Sequence, residues 1–396
     1  MLYYFCDLHM LNPLKIFNIV GARPNLVKIA PLTREMRKHA SIQPILVHTG
    51  QHYGEELSDV FFRQMGIKLP DFNLEVGSGS HAWQTAEILK RIEPLLIEQK
   101  PDLVLVVGDV NSTIAASLAS AKLGIPVAHV EAGLRSFDRT MPEEINRILT
   151  DALADHLFVT EEDAISNLLK EGRPRNRIYL VGNVMIDALH QFLPIAQKSN
   201  IGRDLGLCDM NSLMPFAVLT LHRPSNVDSV RTLERLLTAI DIVAEELPVI
   251  FPVHPRTQER LKDAHTKHHP RLRLISPVGY LDFLYLLNGS KLVLTDSGGI
   301  QEETTALGVP CLTLRENTER PVTITEGTNE LVGQNPIRIV NAAREILAGK
   351  TKRGHVPQLW DGHAAKRIVE ILLRDAPADR VGDSTTGREL EGGLLR

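Results

Sequence analysis

Residues Lys291–Leu314 read KLVLTDSGGIQEETTALGVPCLTL, and this stretch decides the fold class. Lys291–Thr295 is an apolar run of strand length, and Asp296-Ser297-Gly298-Gly299 is a tight turn. Ile300–Leu307 has helical spacing, Gly308 closes the helix, and Val309–Leu314 is the next strand. The unit is β-turn-α-β, with its glycines at the helix N-terminus. Free backbone N–H groups and the positive end of the helix dipole meet there, and both favour an anion. A Gly-Gly pair also serves as a plain tight connection in many α/β folds. The charges around it favour the anion. Glu302 and Glu303 are read on the first turn of the helix, and Arg315, Glu319 and Arg320 follow the next strand. Open α/β sheets bind ligands at such strand ends.

The rest of the chain repeats this pattern. Strand-length runs lie at Lys15–Val20, Ile45–His48, Asp102–Val107, Pro126–Val130, His156–Thr160 and Ile178–Val181. An amphipathic helix is expected up to about Met65, and Ser80 is placed to cap a long helix at His81–Gln99. Helices are also read at Asn111–Leu123 and from Pro142 onward. A second series follows Gly182, with strands at Phe216–Leu221, Val249–Val253 and Leu272–Ile275 and helices at Ser229–Leu247 and Tyr280–Asn288. Alternating strands and helices specify parallel, doubly wound sheets. The expectation is two Rossmann-like units, residues 15–185 and 186–361, with a cleft between them. Residues 1–14 are read as an extension and 377–396 as a loose tail. A last helix at 362–376 is expected to cross back onto the first unit.

Composition narrows the function classes. The chain has 396 residues and a formal net charge of −4, so it lacks the basic footprint of a nucleic-acid binder. No apolar run reaches the length of a membrane span. Cys6, Cys208 and Cys311 lie far apart, without metal or redox spacing, and read as thiols of a reducing compartment. His265, His268 and His269 form a solvated cluster without clean metal spacing. No HExxH, Walker A, CxxC pair or GxGxxG occurs, and neither metal nor cofactor is expected.

Chemistry gathers at the strand ends. Asp109, Glu131 and His222 end or follow strands, and Glu143 opens the next helix. Three carboxylates and an imidazole in one cleft, opposite Arg23, Lys28 and Arg320, suit acid/base work on a substrate with a phosphate tail. Taken singly, Asp109 or Glu143 reads better as a helix cap, and His222 as a core histidine or one merely lining the cleft. Asp296 is expected to fix its own turn through backbone hydrogen bonds.

Seven motifs in order carry a resemblance. They are Gly21-Ala22-Arg23-Pro24 with Lys28; Gly108-Asp109; His129-Val130-Glu131-Ala132-Gly133-Leu134-Arg135; Pro142-Glu143-Glu144 with Asn146-Arg147; His222-Arg223; Asp296–Glu303; and Thr318-Glu319-Arg320-Pro321. Together they resemble the non-hydrolysing UDP-N-acetylglucosamine 2-epimerases, from about Lys15 to Arg374. The resemblance implies a fold like that of GT-B glycosyltransferases, a cytoplasmic homodimer, and interconversion of UDP-GlcNAc and UDP-ManNAc. By motif it implies UDP contacts from Arg23, Lys28, Phe283, Ser297, Gly298, Gly299, Glu303 and Arg320, with Glu303 on the ribose hydroxyls. Arg135 joins the substrate-binding set, and Asp109, Glu131, Glu143 and His222 correspond to the catalytic set. Asn25, Val278 and Val322 depart from common family residues.

The chemistry agrees. No carbonyl acidifies C2 of the sugar, so deprotonation there needs a leaving group at C1. A diphosphate leaves well when cations and N–H donors neutralise it. Competing readings are a hydrolysing epimerase, a 2-epimerase of a diacetamido-uronic acid sugar, a glycosyltransferase and a UDP-sugar sensor. The carboxylate set argues against glycosyl transfer.

Overall fold

The computed structural model describes residues 12–50, 65–209, 212–263 and 268–377. The helix expected to run to Met65, nearly all of the extension and nearly all of the tail lie outside these residues. The first sheet contains β1 (Leu14–Val20), β2 (Ile42–His48), β3 (Phe72–Asn73), β4 (Leu103–Val107), β5 (Val127–Val130), β6 (His156–Val159) and β7 (Ile178–Leu180). After a short hairpin, β8 (Cys208–Asp209) and β9 (Ser212–Leu213), the second sheet contains β10 (Ala217–Thr220), β11 (Val249–Pro252), β12 (Leu272–Ile275), β13 (Leu292–Thr295), β14 (Cys311–Thr313) and β15 (Asn329–Leu331).

The first sheet runs β3-β2-β1-β4-β5-β6-β7 and the second β12-β11-β10-β13-β14-β15. Every pairing within both is parallel. Both share one winding: the chain starts in the middle, builds one edge, returns and builds the other. The order reverses between β1 and β4 in the first sheet and between β10 and β13 in the second. A ligand crevice opens beyond the strand C-termini at such a reversal. The two doubly wound parallel sheets expected from the strand–helix alternation are therefore present. Apolar side chains pack on both faces of each sheet, as strands buried on two sides require.

Two helices join the units. Val184–Ala196 follows β7, and its Met185 and Leu189 share a core with Leu26, Val27 and Ala30 of the first helix, Arg23–Met36. The last helix, Ala364–Arg374, adds Ala365, Ile368 and Leu372 to that same core. Trp360, 2% exposed, enters just before it, and its indole N–H donates to the Thr160 carbonyl at 3.1 Å.

The last helix has no cap of its own, since His363 makes no capping hydrogen bond. Its orphan N–H groups are met from a distance. The buried Asp187 carboxylate accepts from Ala364 N at 3.0 Å and Ala365 N at 2.7 Å. Asp187→Ala should therefore cost about 1–3 kcal/mol, the scale for buried donors left unmet. Asp187→Asn, which keeps an acceptor oxygen, should cost less. Chemical denaturation measures both. An unchanged midpoint in the alanine variant would show that the apolar face alone docks the helix.

Candidate active site

The first sheet delivers carboxylates from consecutive strand ends. Asp109 follows β4, Glu131 follows β5 and Glu161 follows β6. Each sits in a different electrostatic setting.

Asp109 is gripped by Arg147, whose Nη2 and Nε donate to Oδ2 at 2.7 and 3.0 Å. Burial pushes the Asp109 carboxyl up, but Arg147, Lys28 and Arg320 outweigh it and hold the group below its ordinary value. It is not a helix cap: the helix Asn111–Lys122 takes Val110 at its N-cap, without side-chain bonding.

Glu131 is 3% exposed, and its Oε2 accepts from Lys28 Nζ at 2.6 Å. Arg320 Nη2 approaches the same oxygen at 3.5 Å. The other oxygen, Oε1, is buried without a partner. The residue has φ +71°, the left-handed region that costs a non-glycine residue about 1–2 kcal/mol. A buried, half-satisfied carboxylate on a strained backbone is a mark of function rather than packing. Lys28 and Glu131 thus lie side by side, whereas the sequence placed the cations opposite the carboxylates.

Glu161 was not singled out from the sequence. It is buried, its Oε1 has no partner, and burial pushes its carboxyl up to about 8, with Arg320 pulling the other way. Glu143 is the exposed member of the group, with a side chain 37% accessible and Arg223 Nη1 at 3.9 Å. It lies on the first turn of its helix and does not cap it.

The second sheet contributes an imidazole and cations. His222 follows β10, and its Nδ1 lies 2.9 Å from Asp296 Oδ1. Asp296 also accepts from His222 N at 3.0 Å, Arg223 N at 2.9 Å and Asn226 Nδ2 at 3.1 Å. This corrects the expectation that Asp296 fixes its own turn. It instead fixes the neighbouring strand end and the ring of His222; Thr295 Oγ1 takes the Ser297 N–H at 3.0 Å. With Nδ1 turned to a carboxylate, Nε2 is the nitrogen left for chemistry.

The glycine turn also differs from expectation. The helix runs Gly298–Leu307, so Glu302 and Glu303 fall on its second turn, not its first. Both are buried. Glu302 Oε1 pairs with Arg320 Nε at 2.5 Å. Glu303 Oε1 accepts from the Tyr280 hydroxyl at 2.8 Å, and burial pushes this carboxyl up to about 7. Phe283 lies one turn beyond Tyr280 on the same helix, partly buried against the sheet. A Cβ on Gly298 would stand 2.6 Å from Glu319 Oε1, so the glycine admits a carboxylate to the helix N-terminus. Arg315, Arg223 and Arg320 approach that carboxylate at 2.8, 3.5 and 3.5 Å. Burial pushes Glu319 up, yet Arg320, Arg315, Arg147 and Arg223 hold it well below its usual range.

Lys28, Glu131, Arg320 and Glu302 therefore form one connected group, and Asp109, held by Arg147, lies in the field of its two cations. Glu143 and His222 border it through Arg223 and Asp296, and Ser297, Gly298 and Gly299 open the helix beside it. Arg135 does not belong to it. Its guanidinium, 1% exposed, is committed to Asp151 and Glu171, each at 2.7 Å, and leaves nothing for a ligand. The side chain of Arg23 lies outside the described residues. Arg147 and Tyr280 were given no role from the sequence. The signal for Arg147 was available: Glu144, Arg147 and Asp151 recur at helical spacing on one face of Pro142–Leu153.

A family model described as UDP-N-acetylglucosamine 2-epimerase matches residues 34–373. The UDP-N-acetylglucosamine 2-epimerase of Methanocaldococcus jannaschii is 44% identical over 368 residues, covering 91% of this chain and 99% of that protein. The UDP-2,3-diacetamido-2,3-dideoxy-D-glucuronate 2-epimerase of Pseudomonas aeruginosa is 42% identical over 364 residues, covering 91% of this chain and all of that protein. The crystal structure of the Methanocaldococcus jannaschii enzyme in complex with UDP-GlcNAc and UDP superposes with a TM-score of 0.83 at 43% identity, covering 90% of this chain and 99% of that one. The family model and these relatives each match most of the chain, which belongs to the UDP-N-acetylglucosamine 2-epimerase family.

Proposed function

We propose that the protein interconverts UDP-GlcNAc and UDP-ManNAc by eliminating UDP across C1–C2 and adding it back. Glu131 carries this reading. It is a strained, buried carboxylate with one free oxygen, placed where Lys28 from the first unit meets Arg320 from the second. A base and the cations that accept a leaving diphosphate stand within one side chain's reach, as elimination requires.

In the forward step a carboxylate takes the C2 proton. The C2–H electrons form the C1=C2 bond of a 2-acetamidoglucal, and the C1–O bond breaks with its electron pair going to UDP. Lys28, Arg320 and the N-terminus of helix Gly298–Leu307 receive the new negative charge. In return, a UDP oxygen attacks C1 and a second group protonates C2 from the other face. Asp109 and Glu131 are both held by cations, so they serve as bases. Glu143, more loosely held, supplies a proton to C2, and His222, with Nε2 free of Asp296, supplies one to the diphosphate. Ser297, Gly298 and Gly299 receive the phosphates, Glu303 the ribose hydroxyls and Phe283 the base. Arg23 stays in the proposal from its motif alone, and Arg135 serves the fold.

The Pseudomonas aeruginosa relative favours a second reading, a diacetamido-uronic acid sugar as substrate, since its identity nearly equals that of the archaeal enzyme. Turnover of each UDP-sugar, followed by NMR, separates the two and reveals free ManNAc if the enzyme hydrolyses. A homodimer belongs to the same proposal. Ile145 and Leu149, 42% and 48% exposed, form an apolar stripe beside a groove lined by Ala82, Ala86 and Leu89. The free thiols Cys208 and Cys311 suit the cytoplasm.

Reaction in deuterated water should place deuterium at C2 of the product, and label in the C1–O–P bridge should scramble into non-bridging positions. Glu131→Gln should abolish the C2 exchange. It should bind UDP as tightly as wild type or more so, because the carboxylate no longer competes for Lys28. A retained C2 proton with an unscrambled bridge would exclude elimination.

Arg320→Ala should weaken UDP binding by about 1.5–3 kcal/mol, the scale of hydrogen bonds to charged groups. It should also lower the thermal midpoint, because Glu302 and Glu319 lose a buried partner. Calorimetric titration with UDP tests the first effect, and wild-type affinity would restrict Arg320 to a structural role.

A further inference from the structure

We propose that His129 is a fully buried ring that donates from both nitrogens and so positions both Asp109 and Glu131. Its ring has no exposure to solvent. Nδ1 lies 2.6 Å from Asp151 Oδ1, and Nε2 lies 2.9 Å from the carbonyl oxygen of Gly108. A backbone carbonyl only accepts, so Nε2 carries a proton. Asp151 is also an acceptor. Its Oδ2 takes the Gly133 N–H at 3.0 Å and Arg135 Nη2 at 2.7 Å. Burial pushes the Asp151 carboxyl up, but His129 and Arg135 outweigh it and hold the group below its ordinary value. With both neighbours accepting, both ring nitrogens donate, and the ring bears a charge.

The ring ties together the ends of the two strands that carry the carboxylates. Gly108, at φ +71°, immediately precedes Asp109, and its carbonyl is held by Nε2. Glu131 lies two residues beyond His129. Its left-handed turn is fixed because Glu131 N and Ala132 N both donate to the Phe158 carbonyl at 3.0 Å. Asp151 closes the turn by taking Gly133 N. A neutral histidine has one N–H and would lose one of these two anchors. Burying an ion pair is costly in itself, and it is kept here where two strand ends must be held against the strain at Glu131. The charged groups facing the ring are Asp151 from helix Pro142–Leu153, then Arg135 behind it, which Glu171 in turn holds. His129 touches no reacting atom and is a positioning residue. Its effect on rate rests on the epimerase reading, whereas its protonation state does not.

The test has two arms. Nitrogen-15 NMR of the wild-type protein near neutral pH should show both ring nitrogens of His129 bearing protons. One unprotonated ring nitrogen overturns the proposal, whatever the enzyme's activity. In the second arm, His129→Gln and Asp151→Asn should each lower kcat by on the order of 100-fold, the cost of misplacing a reacting group by about 1 Å. UDP affinity should stay within about twofold. Wild-type kcat in both variants, or UDP affinity lost in step with kcat, overturns the positioning role. A wild-type protein that turns over no UDP-sugar would sink the epimerase reading and leave the NMR result standing.

Discussion

The structure depends on Arg320. Its side chain, 5% exposed, reaches Glu302 and Glu319 within its own unit and Glu131 in the other. Taking such a charge out of water costs several kcal/mol, which only good geometry and further hydrogen bonds repay. Here the repayment is incomplete. Arg320 Nη1, Glu131 Oε1 and Glu302 Oε2 have no geometrically good hydrogen-bond partner. Apolar residues of equal volume would join the units as well or better. The cluster is therefore poor glue, and its composition follows from the proposed ligand instead. The proposed diphosphate would meet Arg320 Nη1, whereas Glu131 Oε1 and Glu302 Oε2, both acceptors, call for donor groups of the same ligand.

Much of this was legible in the sequence. β-Strands buried on both faces announce themselves as continuous apolar runs, and the glycine turns mark where strands end. The strand ends and the alternation were enough to give two doubly wound sheets and to place Asp109, Glu131 and His222 at their rims. Boundaries slipped where local preference and hydrogen bonding part company. The helix after Ser297 starts at Gly298 rather than Ile300, because glycine, a poor helix former, is needed there to admit Glu319.

What the sequence hid lies on the helix Pro142–Leu153. Its buried residues are Glu144, Asn146, Arg147, Thr150 and Asp151, while Ile145 and Leu149 face outward. Periodicity reveals two faces of an amphipathic helix but not which one is inside, and the usual rule gives the wrong answer here. Four of these five are spoken for, and only the Thr150 hydroxyl lacks a partner. Glu144 takes Ser136 N and Phe137 N, both at 3.0 Å, Arg147 holds Asp109, and Asp151 holds His129. Asp296 was misread for a related reason. A turn carboxylate is expected to serve its own turn, but β10 lies beside β13 and offers it His222 N and Arg223 N. Partners 70 residues away are set by strand order, which no local pattern encodes.

The inverted helix also explains how one unit can hold carboxylates in different states. Asp109, Glu131 and Glu161 leave neighbouring strands of one sheet, so proximity alone does not separate them. Their partners do. Arg147 reaches Asp109 only because the polar face of its helix is turned inward, and Lys28 reaches Glu131 from the helix after β1. Glu161 receives no direct cation, and burial lifts it to about 8. Cationic partners hold Asp109 below its ordinary value, whereas burial without a directly bonded cation lifts Glu161. A sheet supplies the positions and the helices packed on it assign the charges. The setting of Asp109 is thus a consequence of which helix face is buried, and exchanging the buried polar face of Pro142–Leu153 for an apolar one would keep the fold's layers while taking the Arg147 cation from Asp109 and leaving Lys28 on Glu131.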